Sequence, residues 1–303
     1  MNKERLQNYN ETLYQNNLSL EDINNTINEL PDVSALIDKF EINNCYYLFA
    51  VGARLDCLYE LLALCKNVTS CYYMFYHSVN NLTEVDLSNF DTSKCTTFSN
   101  MFYNCSSLKK LNLKNLNTSQ GKDFSNMFGN CHNLAEIDVS SFDTSNATHI
   151  NSMFYNMSKL ESLDLENFNI SKVTEIANIF SSCRNLKNLN ISSFDFSNLP
   201  KIYYMMLRCP NLENLKFGTN LGKAFVQNEN NYSYYKMDLS GSPKLTYDSL
   251  ISVINGLYDL NLTYDVANGG TLYTQQFVIG AENISKLNAE ELNSITNRGW
   301  VVS

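Results

Sequence analysis

Leucine stands at positions 82, 108, 134, 160, 186 and 212, one every 26 residues. Three residues on come Val85, Leu111, Ile137, Leu163, Leu189 and Leu215, and two further on Leu87, Leu113, Val139, Leu165, Ile191 and Phe217. This LxxLxL spacing predicts a short strand whose side chains alternate between two faces. Phe90, Leu116, Phe142, Phe168 and Phe194 follow at a turn. Next come Phe98, Phe124, Ile150, Ile176 and Ile202, then Met101, Met127, Met153, Ile179 and Met205, then another apolar position and Cys105, Cys131, Met157, Cys183 and Cys209. Spacings of 3, 1 and 3 predict one face of a short helix. Each unit reads as strand, turn, helix, turn. A fixed period of this length means coils stacked on one continuous core, because a single unit cannot bury both its strand and its second arm.

Polar columns keep the same period. Ser93, Ser119, Ser145, Ser171 and Ser197 are each preceded two residues earlier by Asp91, Asn117, Asp143, Asn169 or Asp195. Such residues bond nearby backbone groups at turns, so these columns read as a structural ladder. The stretches LTEVDLSNFDTSKCTTFSNMFYNCSS, LAEIDVSSFDTSNATHINSMFYNMSK and LESLDLENFNISKVTEIANIFSSCRN resemble BspA-type leucine-rich repeats, over about 45% of the chain. The resemblance implies an α/β fold, a right-handed leucine-rich-repeat solenoid, and a role in surface binding or adhesion without enzyme activity. Such repeats occur in bacterial cell-surface proteins, protist surface proteins and phage-encoded structural proteins.

Outside residues 82–217 the pattern changes. Residues 3–30 carry a seven-residue rhythm, with Leu6, Leu13, Leu20 and Ile27 on one seam and Tyr9, Asn16, Ile23 and Leu30 on the next. That suits a short coiled coil in which Asn16 fixes register or oligomer number. A helical hairpin folded on its own chain competes, because Ser19 and Asp22 suit a second helix start. The segment also resembles the lead segments of phage tail-associated proteins, so residues 1–31 are expected to attach or oligomerise the chain. Residues 32–81 read as a linker and a degenerate capping repeat, since Cys45–Phe49 recurs as Cys71–Phe75. The rival reading is one amphipathic helix over 46–65. Residues 218–303 read as an irregular cap with strands near 235–239, 272–279 and 299–302, helices near 245–257 and 287–295, and Trp300 closing the stack. Its ending resembles caps found after BspA-type repeats.

Composition narrows the partners. With 22 Lys and Arg against 31 Asp and Glu the net charge is -9, which argues against nucleic acid and anionic membrane. No run approaches 18 apolar residues, so no membrane insertion is expected. The N-terminus lacks a signal-peptide h-region, which weakens an exported-adhesin reading. The 45 asparagines suggest an AT-rich genome, and their N-x-S/T matches at Asn81, Asn104, Asn156 and Asn190 carry almost no weight as glycosylation sites. Nine cysteines are present, and those in the repeat column trade places with Met157, so they read as buried thiols of a protein folded in a reducing cytoplasm. No CxxC or Cys/His ligand spacing occurs, and no cofactor or metal is expected.

No nucleophile–base set, paired carboxylates or phosphate cradle stands out, so no enzyme is expected. Function is placed on outward positions of the strands: Glu84 and Asp86, Lys110 and Asn112, Glu136 and Asp138, Ser162 and Asp164, Asn188 and Asn190, Asn214 and Lys216. Solenoids present such rows as extended ligand surfaces; solvated sheet positions are the competing reading. Tyr103 and Tyr155 form a second candidate patch. The expectation is a non-enzymatic phage virion or tail component, made in the host cytoplasm. It would bind a host-surface glycan or protein and would contact other virion proteins. The alternatives are a BspA-type bacterial cell-surface adhesin and an intracellular protein-binding scaffold.

Overall fold

The computed structural model describes residues 42–45, 48–49, 58–78, 82–199, 202–223, 236–260 and 275–303. The heptad residues Leu6, Tyr9, Leu13, Asn16, Leu20, Ile23, Ile27 and Leu30 lie outside them. The chain runs β1 (Ile42–Asn44), α1 (Leu58–Leu64), β2 (Cys65–Ser70), β3 (Glu84–Asp86), β4 (Lys110–Asn112), β5 (Ser162–Asp164) and β6 (Ile176–Ala177). It continues through β7 (Asn188–Asn190), β8 (Ile202–Tyr203), β9 (Asn214–Lys216), β10 (Lys236–Asp238) and α2 (Tyr247–Gly256). β11 (Gln275–Val278), α3 (Ala281–Ile284), α4 (Ala289–Thr296) and β12 (Trp300–Val302) complete it.

The 26-residue spacing becomes a parallel register. Glu84 pairs with Lys110 and Asp86 with Asn112, and β5, β7 and β9 pair in the same way. Val85, Leu163, Leu189 and Leu215 point inward and are buried, while their polar neighbours turn outward. This is an α/β repeat architecture: parallel strands stacked one coil above the next.

The second arm of each repeat is not the helix that its spacing predicts. Non-glycine residues with left-handed backbone recur four apart in every coil: Asn100 and Asn104, Asn126 and Asn130, Ser152 and Asn156, Asn178 and Ser182, Tyr204 and Arg208. Each one interrupts the right-handed progression that a helix needs. The amides then divide their bonds. The N–H groups of Phe98, Asn100, Phe102 and Asn104 donate to Asp123, Ser125, Met127 and Gly129 of the next coil at 2.7–2.9 Å. Between them, Met101, Tyr103 and Cys105 donate three residues back within their own coil at 3.1 Å. Spacings of 3, 1 and 3 place the same side chains inward in either geometry, so apolar periodicity cannot separate a helix from this ladder of turns. The asparagines could have done so. They account for eight of the fourteen left-handed non-glycine residues among the described residues, including Asn104 and Asn156 of the N-x-S/T triplets.

Side chains stack down the core in step with the backbone. Phe49, Phe75, Phe102, Phe128, Phe154 and Phe180 form a continuous column of stacked rings with centroids 5.0–6.2 Å apart. A hydroxyl ladder runs beside it. Thr92, Thr118 and Thr144 are buried, and each hydroxyl donates to the carbonyl of the Asx residue in the next coil at 2.8–3.1 Å. The Thr118 oxygen also accepts from the Asp143 N–H at 2.8 Å. Thr118→Val keeps the shape but strands both backbone groups of Asp143. We expect a loss of about 1–3 kcal/mol in chemical denaturation; a change within experimental error would refute the ladder's role.

At the N-terminal end, Phe49 donates its N–H to Met74 O, as Phe75 does to Met101 O one coil later, while Leu58–Leu64 is helical. At the C-terminal end, α2 closes the strand sheet. The N–H groups of Leu215 and Phe217 donate to the hydroxyls of Ser249 and Ser252, each at 2.9 Å. Side chains of a helix thus satisfy an edge that a further strand would otherwise extend. β10, β11 and β12 form a separate three-stranded parallel sheet, with Trp300 buried against Phe277.

Candidate functional site

The strand ladder is not continuous. β3 pairs with β4, and β5, β7 and β9 pair together, but residues 136–138 between them belong to no strand. The amides of Leu87, Leu165 and Ile191 donate to the next coil at 2.8–2.9 Å. Those of Leu113 and Val139 have no backbone partner in the described residues. Among the described residues, one long bond, Glu161 N–H to Ala135 O at 3.4 Å, is the only backbone rung reaching this coil on the strand side, beside the Asn167 side-chain amide that donates to Val139 O at 3.1 Å. On the opposite arm the rungs persist, Asn126 to Asn151 and Phe128 to Met153 both at 2.9 Å. The coils are therefore wedged apart on the strand side alone.

The wedge is a concave groove of about 630 Å³. Its walls are Glu84, Asp86, Lys110, Asn112, Glu136 and Asp138, its floor Val85, Leu111 and Ile137, and Tyr59 of α1 stands at one end. Leu111 and Ile137 are half-buried here, whereas Val85, Leu163, Leu189 and Leu215 in the same column are buried. Side chains mark the same break. Asn112 Nδ2 donates to Asp86 Oδ1 at 3.1 Å and Lys110 pairs with Glu84. Asp138 shares its column with Asp164 on the far side, and like charges in adjacent coils disfavour pairing.

All twelve strand positions singled out in the sequence lie on this face, and six of them line the groove. Ser162, Asp164, Asn188, Asn190, Asn214 and Lys216 belong to the intact sheet beyond it. Asn190 is withdrawn from the surface at 9% exposure, its carbonyl oxygen held by the Ser192 N–H and hydroxyl. Five of the twelve have a structural duty beside their outward position. Asp86, Asn112, Asp138, Asp164 and Asn190 each accept the N–H two residues on, at 2.8–3.2 Å. Each of these residues therefore closes the turn after its strand and offers only its remaining atoms to a ligand. The columns at 91, 117, 143, 169 and 195 do the same at the next turn. The tyrosine patch is also rearranged. Tyr103 stacks on Tyr76 at 5.8 Å and leans over Gly129, where a Cβ would lie 2.9 Å from its ring. Gly129 interrupts the column, so Tyr103 groups with Tyr73 and Tyr76 and not with Tyr155.

The groove is electronegative. The Ser88 hydroxyl and N–H hold the Asp86 carboxyl below the usual carboxylate range, and Ser140 does the same for Asp138. Ser145 acts likewise on Asp143, and the Ser93 N–H leads at Asp91. Glu84 raises the Lys110 ammonium pKa, so the lysine stays charged. Lowered folded-state values mean stability that is present above the unfolded value near 3.9 and lost as pH falls through the folded value. These groups are exposed, and screening keeps each contribution small. We expect the melting midpoint to drop as pH is lowered below about 4. Asp143→Asn, which keeps the turn as Asn117 and Asn169 do, should flatten that dependence. A midpoint constant from pH 7 to 3 would contradict this.

Among the described residues, no three His, Cys, Asp or Glu side chains group so as to hold a metal ion. No helix among the described residues is long and apolar enough to cross a membrane.

Comparison with known proteins places the repeats in context. A family model described as "Mycoplasma protein of unknown function, DUF285" matches residues 69–188 and 109–218. A search of curated proteins gives no match. Among solved structures, the chain is similar to a leucine-rich repeat protein of T. pallidum at 18% identity and a TM-score of 0.35, covering 65% of this chain and 78% of that one. It is also similar to a leucine-rich repeat protein from Bacteroides ovatus at 18% identity and a TM-score of 0.30, covering 70% of this chain and 53% of that one.

Proposed function

We propose that this chain is a non-enzymatic binding protein that takes its ligand in the groove where the strand ladder opens. One observation carries the reading: outward side chains of three successive coils converge on one concavity, with four carboxylates and one lysine over an apolar floor. Walls with a net negative charge attract a partner of the other sign, and the apolar floor adds contact area. A host-surface protein segment or glycan bearing cationic groups fits this chemistry. The experiment is retention of amine-bearing oligosaccharides and of short peptides of graded net charge on the immobilised full chain. Probes that bind should lose at least 10-fold in affinity with Glu136→Lys plus Asp138→Lys, and should keep it with Asn188→Ala plus Asn214→Ala. Equal retention by both variants, or no charge-graded binding at all, would refute the assignment.

The setting we propose is a phage virion or tail surface, with residues 1–31 joining copies or attaching them to other particle proteins. It is supported by the heptad rhythm of Leu6, Leu13, Leu20 and Ile27 and by the resemblance of that segment to tail-protein leads. A full-length chain that sediments as a multimer, and that dissociates with Leu13→Asp plus Leu20→Asp, supports it. A monomeric full-length chain overturns it and leaves the adhesin and scaffold readings.

A further inference from the structure

Two groups of cysteines behave differently. Cys105, Cys131, Cys183 and Cys209 recur down the repeat column, and each thiol donates to a carbonyl of the preceding coil at 3.0–3.1 Å. Every sulfur in that row is committed to the backbone. At the N-terminal end the pattern changes. Ser70 pairs with Thr97, which sets Cys71 opposite Phe98, the first of the Phe98, Phe124 and Ile150 column. A small sulfur thus fills a place that a large side chain fills in later coils. Cys95, one coil on, turns toward it: the two Sγ atoms lie 3.3 Å apart, the Cys95 thiol also reaches Thr97 O of its own coil at 3.2 Å, and both side chains are fully buried. Cys45 and Cys65 are buried in the same cluster: Cys65, Cys71 and Cys95 all act on Cys45, and Cys65 also acts on Cys71.

We infer that Cys71 and Cys95 are a latent disulfide that joins two neighbouring coils near the N-terminal end of the stack when the chain meets an oxidant. A bond length of about 2.05 Å requires the sulfurs to close by only about 1.3 Å, within reach of side-chain rotation. Among the described residues, no group of ligands converges so as to hold a metal ion. Burial raises the Cys71 thiol well above its usual value, so the pair is inert while the coil of Cys71 stays closed. Reaction follows opening of that coil or precedes its closure. One thiol, as thiolate, attacks a sulfur of oxidised glutathione and expels one glutathione thiolate. The second thiol, also deprotonated, attacks the resulting mixed disulfide and expels the other. Two protein thiols are oxidised and one small disulfide is reduced to two thiols. The covalent tie would fasten the coil of Cys71 to that of Cys95, in addition to the rungs that already join them.

The test is refolding of the full chain in a glutathione redox buffer, followed by alkylation, intact mass and peptide mapping. The expected product is lighter by about 2 Da, one disulfide's worth of hydrogen, with the peptides of Cys71 and Cys95 linked. It should melt higher than the reduced chain. Cys71→Ala and Cys95→Ala should each abolish the link. Ala147 occupies the Cys95 column two coils on, so alanine is tolerated there, and circular dichroism checks each fold. Cys105→Ala should leave the link intact. An unchanged mass, a link through any other pair, or zinc retained by the reduced chain in native mass spectrometry would overturn the inference. None of these outcomes touches the groove, so the binding proposal stands or falls separately.

Discussion

Phe128→Ala is expected to destabilise the protein by about 3–5 kcal/mol, the range for removing a fully buried phenylalanine. The ring has no solvent exposure and sits between Phe102 at 5.8 Å and Phe154 at 5.7 Å, with Phe142 tilted against it at 6.4 Å. Part of the loss is transfer of the ring to water. Part is the void left in a column whose neighbours are held in place by their own backbone rungs. Each lost ring contact adds about 0.5–1.5 kcal/mol. Coils above and below are pinned at the Asn126–Asn151 and Asn130–Tyr155 rungs, so collapse into the void is restricted. Guanidinium denaturation should show a lower midpoint or, because stacked repeats couple mainly to nearest neighbours, two transitions in place of one. A loss under about 1 kcal/mol would mean that the rings are filler and not a supporting column.

Gly218→Ala is the second large effect, and it acts at the joint between repeats and cap. A Cβ there would lie 2.0 Å from the carbonyl oxygen and 2.8 Å from the carbonyl carbon of Phe194. Those are backbone atoms, so no side-chain rotation relieves the contact. Gly256 of α2 is confined from the other side, its own Cβ position lying 2.3 Å from Gly218 O. The rungs around the joint, Thr219 N–H to Phe194 O at 2.8 Å and Leu221 N–H to Gly256 O at 2.9 Å, depend on this close approach. We expect a cost of about 3 kcal/mol, the upper end of the overpacking range. Hydrogen exchange should locate it, with amides of α2 and β9 losing protection while those of β3 and β4 keep theirs. Uniform loss throughout the chain, or none, would contradict this reading of the joint.

The two variants also show which parts of the architecture were legible in the sequence. Every member of the ring column from Phe75 to Phe180 lies in an apolar position visible in the sequence, and the strand register follows from the leucine spacing alone. The geometry of the second arm did not follow. Apolar spacing reports which side chains turn inward, not where the amides between them point. The deciding residues are polar, the left-handed asparagines, and abundance alone gave them a compositional explanation. Gly218 carries no pattern at all, because its role is set by Phe194, a full coil away in sequence. The groove was half legible. Its wall residues were recognisable as outward positions, but nothing in the Leu134, Ile137 and Val139 columns marks the coil at which pairing fails. That failure comes from how Asp138, Asp164 and the already committed Asn112 meet in space.

Because amides along the second arm reach into the neighbouring coil, a coil's bonding is completed only by the next one. Growth or loss of such a chain is therefore quantised. A segment inserted or removed in units of 26 residues meets matching acceptors at every rung, whereas a change of one residue must be absorbed in the loop between arms, as it is where Ser70 meets Thr97, 27 residues on. Length variants that remain foldable should differ from this chain by whole coils, and surface reach should change in steps the thickness of one strand spacing, about 4.8 Å.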